Sequence, residues 1–331
     1  MGNRYVDYAL YFAYSLLIIG LLTYRNEVDV VHTFPGPISH IGIIGKQILG
    51  LEWVADILDD PSVELEALEN KKPYLKFVAY TVHICAMKRT LRFASRVYIV
   101  GVSRDRGLPD HIITKYSVPK DVVCATPNGV DVSRTSRDCE QANDTFRLFY
   151  VGSMQSIRGL DTLLEAVGEI YKEIPELRVQ LLGPVRRRQD YENIRDKLRE
   201  HSIEDIVEFS GERVDHGYAL DQMCQADICV LPLSDRIDNF RYTYPIKLFE
   251  YLAMGQPIVA TRLPGIAEVV EDEKHGLLVE PDESEAFADA IQRIYTDDTL
   301  RENLSENARD RANDFDWETI HEQVLEAYPQ D

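Results

Sequence analysis

Lys247 and Glu250 stand three residues apart in YPIKLFEYLAMGQPIVAT, Tyr244 to Thr261. Leu248, Tyr251 and Leu252 recur at helical spacing, so the stretch reads as a helix with one apolar face. Gly255 and Pro257 stop it before a strand that begins Ile258-Val259-Ala260. Residues three apart share a helix face, and both lie near the amino end, where free N–H groups attract anions. A lysine there can hold a phosphate, and a glutamate beside it can accept hydrogen bonds from sugar hydroxyls. A solvated salt bridge is the plainer alternative on spacing alone. A second candidate is the strand Phe146 to Gly152, the loop Ser153 to Arg158 and the helix from Gly159 to Tyr171. Strand, small-residue loop and helix amino end together make a phosphate cradle, although this one is neither a GxGxxG nor a Walker loop. His32, Asp59 and Asp60 follow two earlier strands, at the carboxyl ends where open α/β sheets take ligands. A structural role suits His32 equally well, and helix capping or solvated turns suit the two aspartates.

The elements that must position these residues alternate strand and helix along the whole chain, which implies doubly wound α/β domains. The 331 residues suffice for two domains with ample core. Net charge is −20, unevenly placed: residues 1–135 hold 15 basic against 14 acidic side chains, residues 136–331 hold 21 against 42. An acidic second half argues against a nucleic-acid partner and suits a salt-rich cytoplasm. Cys85, Cys124, Cys139, Cys224 and Cys229 are scattered, with no CxxC pair, and read as buried free thiols in a reducing compartment. Residues 71–95 read as a long helix with Lys71, Lys72, Lys76, Lys88, Arg89 and Arg92 and no acid from Lys71 to Arg104. That run is either a solvated face or a patch that meets anionic headgroups or a phosphate-bearing acceptor. Val6 to Tyr24 is apolar and nearly long enough to span a membrane, at ~20 residues. The strand-like EVDVVH that follows favours a helix packed on a sheet over an anchor.

The order Pro-x-Lys-x-x-Glu-Tyr-x-Ala-x-Gly-x-Pro, with PNGVD at Pro127 to Asp131, PGIAE from Pro264 and GLLV from Gly276, resembles the retaining nucleotide-sugar glycosyltransferases of glycosyltransferase family 4. The resemblance runs from about Asn3 to Tyr328. It implies the two-domain GT-B fold, with two Rossmann-like domains of which the N-terminal one is incomplete, since Met1 falls within the helix before the DVVH strand. The expected division is 1–135 for the acceptor-side domain, 136–314 for the nucleotide-sugar domain and 315–331 for a helix crossing back. The implied donor residues are Gly152, Ser153, Arg158, Glu212, Arg213, Tyr242, Lys247, Glu250 and Gly265. Arg158 takes the place of the family's lysine, and Ser153 that of its first arginine. Tyr242 stands where many relatives have the first glutamate of a Glu-x7-Glu pair, so only Glu250 remains, with Asn239 and Arg241 as substitutes. Leu58 stands where relatives have a histidine, and Asp59 matches the aspartate after it. On the acceptor side the resemblance places His32, Asp59 and Asn128 in the cleft between domains.

The resemblance therefore implies sugar transfer from a nucleotide-sugar to a lipid-linked or surface-glycan acceptor, with retention. Arg158 and Lys247, with Asp59, are the catalytic candidates, because fixed cations stabilise the charge that develops on the leaving diphosphate. No cofactor or metal is expected, and Asp59-Asp60 is a poor DxD substitute. The expected location is cytoplasmic, extending to peripheral contact with an anionic membrane face. The rival readings are a nucleotide-sugar epimerase on the same fold, and an inactive or partner-completed fragment.

Overall fold

The computed structural model describes residues 15, 18–25, 27–34, 40–60, 81, 84–85, 87–137, 139, 145–236 and 238–328. They fall into two units, one up to Thr126 together with Gln323 onward, the other from Pro127 to Glu322.

In the first unit, short runs such as VVHT, EWVADI and RVYIV are apolar enough to be buried on both faces, as parallel strands are. They form a parallel sheet in the order β1 (Val30–Thr33), β2 (Glu52–Ile57), β3 (Arg96–Val100), β4 (Val123–Thr126). Helices α1 (His40–Leu49) and α2 (Gly107–Tyr116) are the crossovers described in full. Trp53, Val54, Ile57, Val97 and Ile99 have no exposed surface. The expected helix over residues 71–95 lies outside the described residues as far as residue 80. Its end, residues 87–93, is helical, with Lys88, Arg89 and Arg92 exposed. The Val6 to Tyr24 stretch is described and helical only at residue 15 and from residue 18, and no described helix is long and apolar enough to cross a membrane.

The second unit holds a parallel sheet in the order β10-β9-β8-β5-β6-β7. Its strands are β5 (Phe146–Val151), β6 (Leu177–Leu182), β7 (Val207–Phe209), β8 (Ile228–Leu231), β9 (Ile258–Thr261) and β10 (Leu277–Val279). Read from β7 this is the Rossmann order, and the direction of winding reverses between β5 and β8. The connecting helices are α3 (Leu160–Ile170), α4 (Arg188–Glu200), α5 (His216–Cys224), α6 (Ile246–Met254), α7 (Ser284–Thr296) and α8 (Asp298–Ala312). Leu163, Leu164 and Val167 of α3 pack with Leu148, Leu181, Phe287 and Ile291 in one core, all with no exposed surface. A last helix, α9 (Trp317–Ala327), begins in the second unit and ends in the first.

The linker that runs from Val132 to β5 opens with a helical turn, Val132–Thr135, because Asp131 caps it, accepting from the Arg134 N–H. Two expectations change. Cys139 and Cys224 are not free thiols but a disulfide, with Cα atoms 5.3 Å apart. The linker is carried back to the end of α5 by tertiary packing, which spacing in the sequence could not reveal. The cysteine pattern therefore gives no argument for a reducing compartment. Finally, Asp60 is not an open site residue. It is 4% exposed and accepts from the Lys115 ammonium (2.6 Å) and the Tyr116 hydroxyl (3.0 Å), with His111 Nε2 at 2.8 Å. Those three partners lie on α2, so Asp60 ties that helix to the end of β2.

Candidate functional site

The reversal point between β5 and β8 is where a doubly wound sheet opens a crevice beyond its carboxyl ends. The residues there are Val151 at the end of β5, Gly152 and Ser153 after it, and Pro232 after β8. Gly152 has φ +151°, and a Cβ on it would sit 2.5 Å from Lys247 Nζ. Gly159 has φ +74°, and a Cβ there would meet the Pro232 carbonyl oxygen at 1.6 Å. Conformation favours glycine at both positions, and at Gly159 the backbone of Pro232 leaves no space for anything larger. They let the turn Ser156–Arg158 fold tightly against β8, which brings Arg158 beside Lys247.

Helix α6 delivers Lys247. Its buried face, Leu248, Phe249, Tyr251 and Leu252, fixes the rotation of the helix and so aims Lys247 at the end of β5. The ammonium donates to the Val151 carbonyl oxygen at 2.7 Å and lies 4.2 Å from the centre of the Tyr150 ring. Burial, and secondarily the Arg158 guanidinium, pull its pKa down to about 7, with Glu250 opposing. Arg158 stacks over Phe240 at 5.1 Å. Ser153 Oγ and Arg158 Nε are buried without a hydrogen-bond partner among the described residues, an arrangement that costs stability unless a ligand or water engages them.

Glu250, one turn along, is paired with His216 Nε2 at 2.7 Å. The plain Lys247–Glu250 salt bridge considered from spacing does not form. No sequence signal pointed to His216, because only the packing of α5 beside α6 brings it there. Glu212 and Arg213 are exposed just beyond β7. Gly265 lies against the Thr243 carbonyl, 2.3 Å from where a Cβ would be, so its small size serves the backbone of residues 242–243. Tyr242 is half-buried in that segment. Arg241 is exposed, and the side chain of Asn239 lies outside the described residues. The structure thus gathers Gly152, Ser153, Arg158, Lys247 and Glu250, and adds Tyr150, His216 and Phe240.

Of the acceptor-side candidates, Asn128 belongs to the second unit and donates its amide to the Tyr244 carbonyl oxygen at 2.6 Å, steadying the entry to α6, and the other two belong to the first. Asp59 is exposed after β2. His32 lies in the first unit, with the Tyr328 hydroxyl 2.8 Å from Nδ1 and Asp56 at 3.8 Å. Tyr98 joins this cluster and donates to the Val324 carbonyl oxygen at 3.1 Å. Burial raises the pKa of Asp56 despite the opposing influence of His32. A cavity of about 480 Å³, lined in part by Arg147, Arg178 and Glu208, lies elsewhere, at the amino ends of β5 to β7.

A parallel four-stranded sheet in one unit and, in the other, a doubly wound parallel sheet with glycines at its reversal point define the class: the chain has the GT-B glycosyltransferase fold. Residues 145–297 match the family model described as glycosyl transferases group 1. The chain is 26% identical over 229 residues to the D-inositol 3-phosphate glycosyltransferase of Paenarthrobacter aurescens (strain TC1), which covers 66% of this chain and 54% of that protein. It thus spans about half the length of the curated relatives it matches. Among solved structures it is similar to sucrose-phosphate synthase from Thermosynechococcus elongatus, with TM-score 0.73, 21% identity and coverage of 95% of this chain and 76% of that one. Anabaena HepE in complex with UDP aligns with TM-score 0.73 and 18% identity, over 93% of this chain and 80% of that one. HepE has also been solved with UDP-glucose.

Proposed function

We propose that this chain is a nucleotide-sugar-dependent glycosyltransferase that holds its donor in the second unit. The observation that carries this reading is the Lys247 ammonium set at the end of β5 beside Arg158, over a glycine that leaves room for a phosphate. Lys247 and Arg158 would bind the donor diphosphate and stabilise the charge it gains as the glycosidic bond breaks. Two cations at that point would supply the stabilisation that a bound metal supplies in other transferases, so we propose metal-independent transfer. Glu250 would accept from the ribose hydroxyls. The HepE complexes with UDP and UDP-glucose support a uridine donor. Retention, as the family 4 resemblance implies, and a glycan or lipid-linked acceptor complete the reading, with His32 and Asp59 as acceptor-side candidates. The exposed Lys88, Arg89 and Arg92 would provide peripheral contact with an anionic membrane.

Calorimetry with UDP and GDP, with and without EDTA, tests the donor site. Micromolar binding of one nucleotide, insensitive to EDTA and lost in Arg158→Ala, is the expected result. Binding of neither nucleotide sinks the reading.

A further inference from the structure

Tyr150 is the last residue but one of β5 and has no exposed surface. The face of its ring lies 4.2 Å from the Lys247 ammonium. Its hydroxyl donates to the Ser153 carbonyl oxygen at 3.1 Å, closing the turn that follows the strand. Between these two contacts sits Gly152, where an added Cβ would be 2.5 Å from Lys247 Nζ and 3.0 Å from the Tyr150 oxygen. One side chain therefore touches both halves of the proposed cradle, the cation from α6 and the loop after β5. We propose that Tyr150 is a positioning residue of the donor site, seating the Lys247 ammonium on its ring and setting the Ser153 turn with its hydroxyl. This rests on the reading of Lys247 as a diphosphate ligand.

The physical case is electrostatic. Lys247 has three N–H donors, and the Val151 carbonyl oxygen takes one at 2.7 Å. Burial and Arg158 both favour loss of its proton, while Glu250 on its own helix favours keeping it. Tyr251, behind it, holds the Val151 N–H at 3.3 Å and is kept neutral by burial, with the neutral Cys229 thiol beyond. His216 acts on Glu250 from α5. Burial pushes the Tyr150 hydroxyl up to about 12, so it remains a neutral donor at working pH. The negative face of the ring thus joins the Val151 carbonyl oxygen as a neutral group that contacts the ammonium and favours its charged form. Weakening that face would cost Lys247 its proton at a lower pH, and donor affinity would go with it.

The test is calorimetry of UDP-glucose binding to the full chain from pH 6 to pH 9. This donor's diphosphate has no group that titrates in that window. In the wild type, affinity is expected to fall with a midpoint near 7 and then about tenfold per pH unit, as the ammonium is lost. Lys247→Arg is expected to bind with no such fall. His216→Gln keeps a hydrogen-bond donor beside Glu250, and the midpoint is expected to stay. Tyr150→Phe keeps the ring and loses the hydroxyl, so the midpoint holds while affinity drops at every pH. The same position carrying 3,4,5-trifluorophenylalanine keeps shape and burial but loses the negative ring face. Its midpoint is expected to move down by half a pH unit or more, which at pH 8 is about a threefold loss relative to the phenylalanine form. Equal midpoints for the phenylalanine and trifluorophenylalanine forms overturn the seat on the ring. Unchanged affinity in Tyr150→Phe overturns the role of the hydroxyl. Undiminished binding in Lys247→Ala overturns the donor-site reading itself, a different failure.

Discussion

At the scale of single residues, Lys247 carries the most consequence. An ammonium held between a carbonyl oxygen and a ring, with a guanidinium nearby, is poised for an anion and strained without one. Arg158→Ala and Lys247→Ala are each expected to weaken UDP binding tenfold or more, since hydrogen bonds to charged groups are worth ~1.5–3 kcal/mol. Titration calorimetry at pH 6.5 reads this directly, and wild-type affinity in both variants refutes the site. The same lysine sets a pH trend in the unliganded protein. Folded Lys247 releases its proton near pH 7, whereas an unfolded lysine holds it to about 10.5, so between these values the unfolded chain binds more protons. Stability from this site therefore rises with pH across that window, opposite in sense to donor affinity. Thermal melts at pH 7 and pH 9 check it: the wild type should gain on Lys247→Met as pH rises, and parallel shifts in the two proteins would contradict it.

At the scale of elements, two tethers hold segments that periodicity alone leaves loose. The Cys139–Cys224 bridge closes a loop of 85 residues, joining the linker to the helix that presents His216. Native disulfides of this kind contribute ~2–4 kcal/mol, chiefly by restricting the unfolded chain. Without reductant, the denatured protein should therefore offer three thiols rather than five to an alkylating reagent. Cys224→Ser should lower the denaturation midpoint, and five reactive thiols would remove the bridge from the account. The second tether is Asp60 with Lys115, His111 and Tyr116. Asp60 is the shared acceptor of three groups, but the Lys115 ammonium left behind is 36% exposed, so Asp60→Ala should cost ~1–2 kcal/mol in urea unfolding. A loss below ~0.5 kcal/mol would show the cluster to be incidental. Asp59 and Asp60 are neighbours in sequence and alike in chemistry, yet one is exposed and the other buried, because only the seating of α2 distinguishes them.

At the scale of the whole molecule, charge dominates. A net charge of −20, concentrated after residue 135, opposes compaction at low ionic strength. Raising salt from 0.05 M to 1 M shortens the screening length from about 14 Å to 3 Å, and the melting temperature should rise with it. A flat or falling response would show that the carboxylates are already balanced by local pairs. Against this background the exposed Lys88, Arg89 and Arg92 stand out. Each cation near an anionic bilayer is worth ~1 kcal/mol, so neutralising all three should reduce binding to phosphatidylserine vesicles a hundredfold. Equal binding by the neutralised form would exclude the membrane role.

What the amino-acid order determined by itself was local. Apolar runs bounded by turns marked the strands, helical spacing marked α6, and Pro-x-Lys-x-x-Glu marked where a phosphate ligand could stand. These are legible because periodicity of two and of 3.6 residues is written over a few neighbours. The tertiary structure alone decided who meets whom. His216 lies 34 residues from Glu250, and Tyr328 lies 296 from His32, so neither pairing leaves a trace in spacing. Gly265, expected at the donor, has the Thr243 carbonyl packed against it, which its place in the sequence does not reveal. Asn128, expected on the acceptor side, also braces Tyr244, 116 residues away. Side-chain identity specifies which bonds a residue can make. The winding of the sheet, through contacts between segments far apart in the chain, selects the ones it does make.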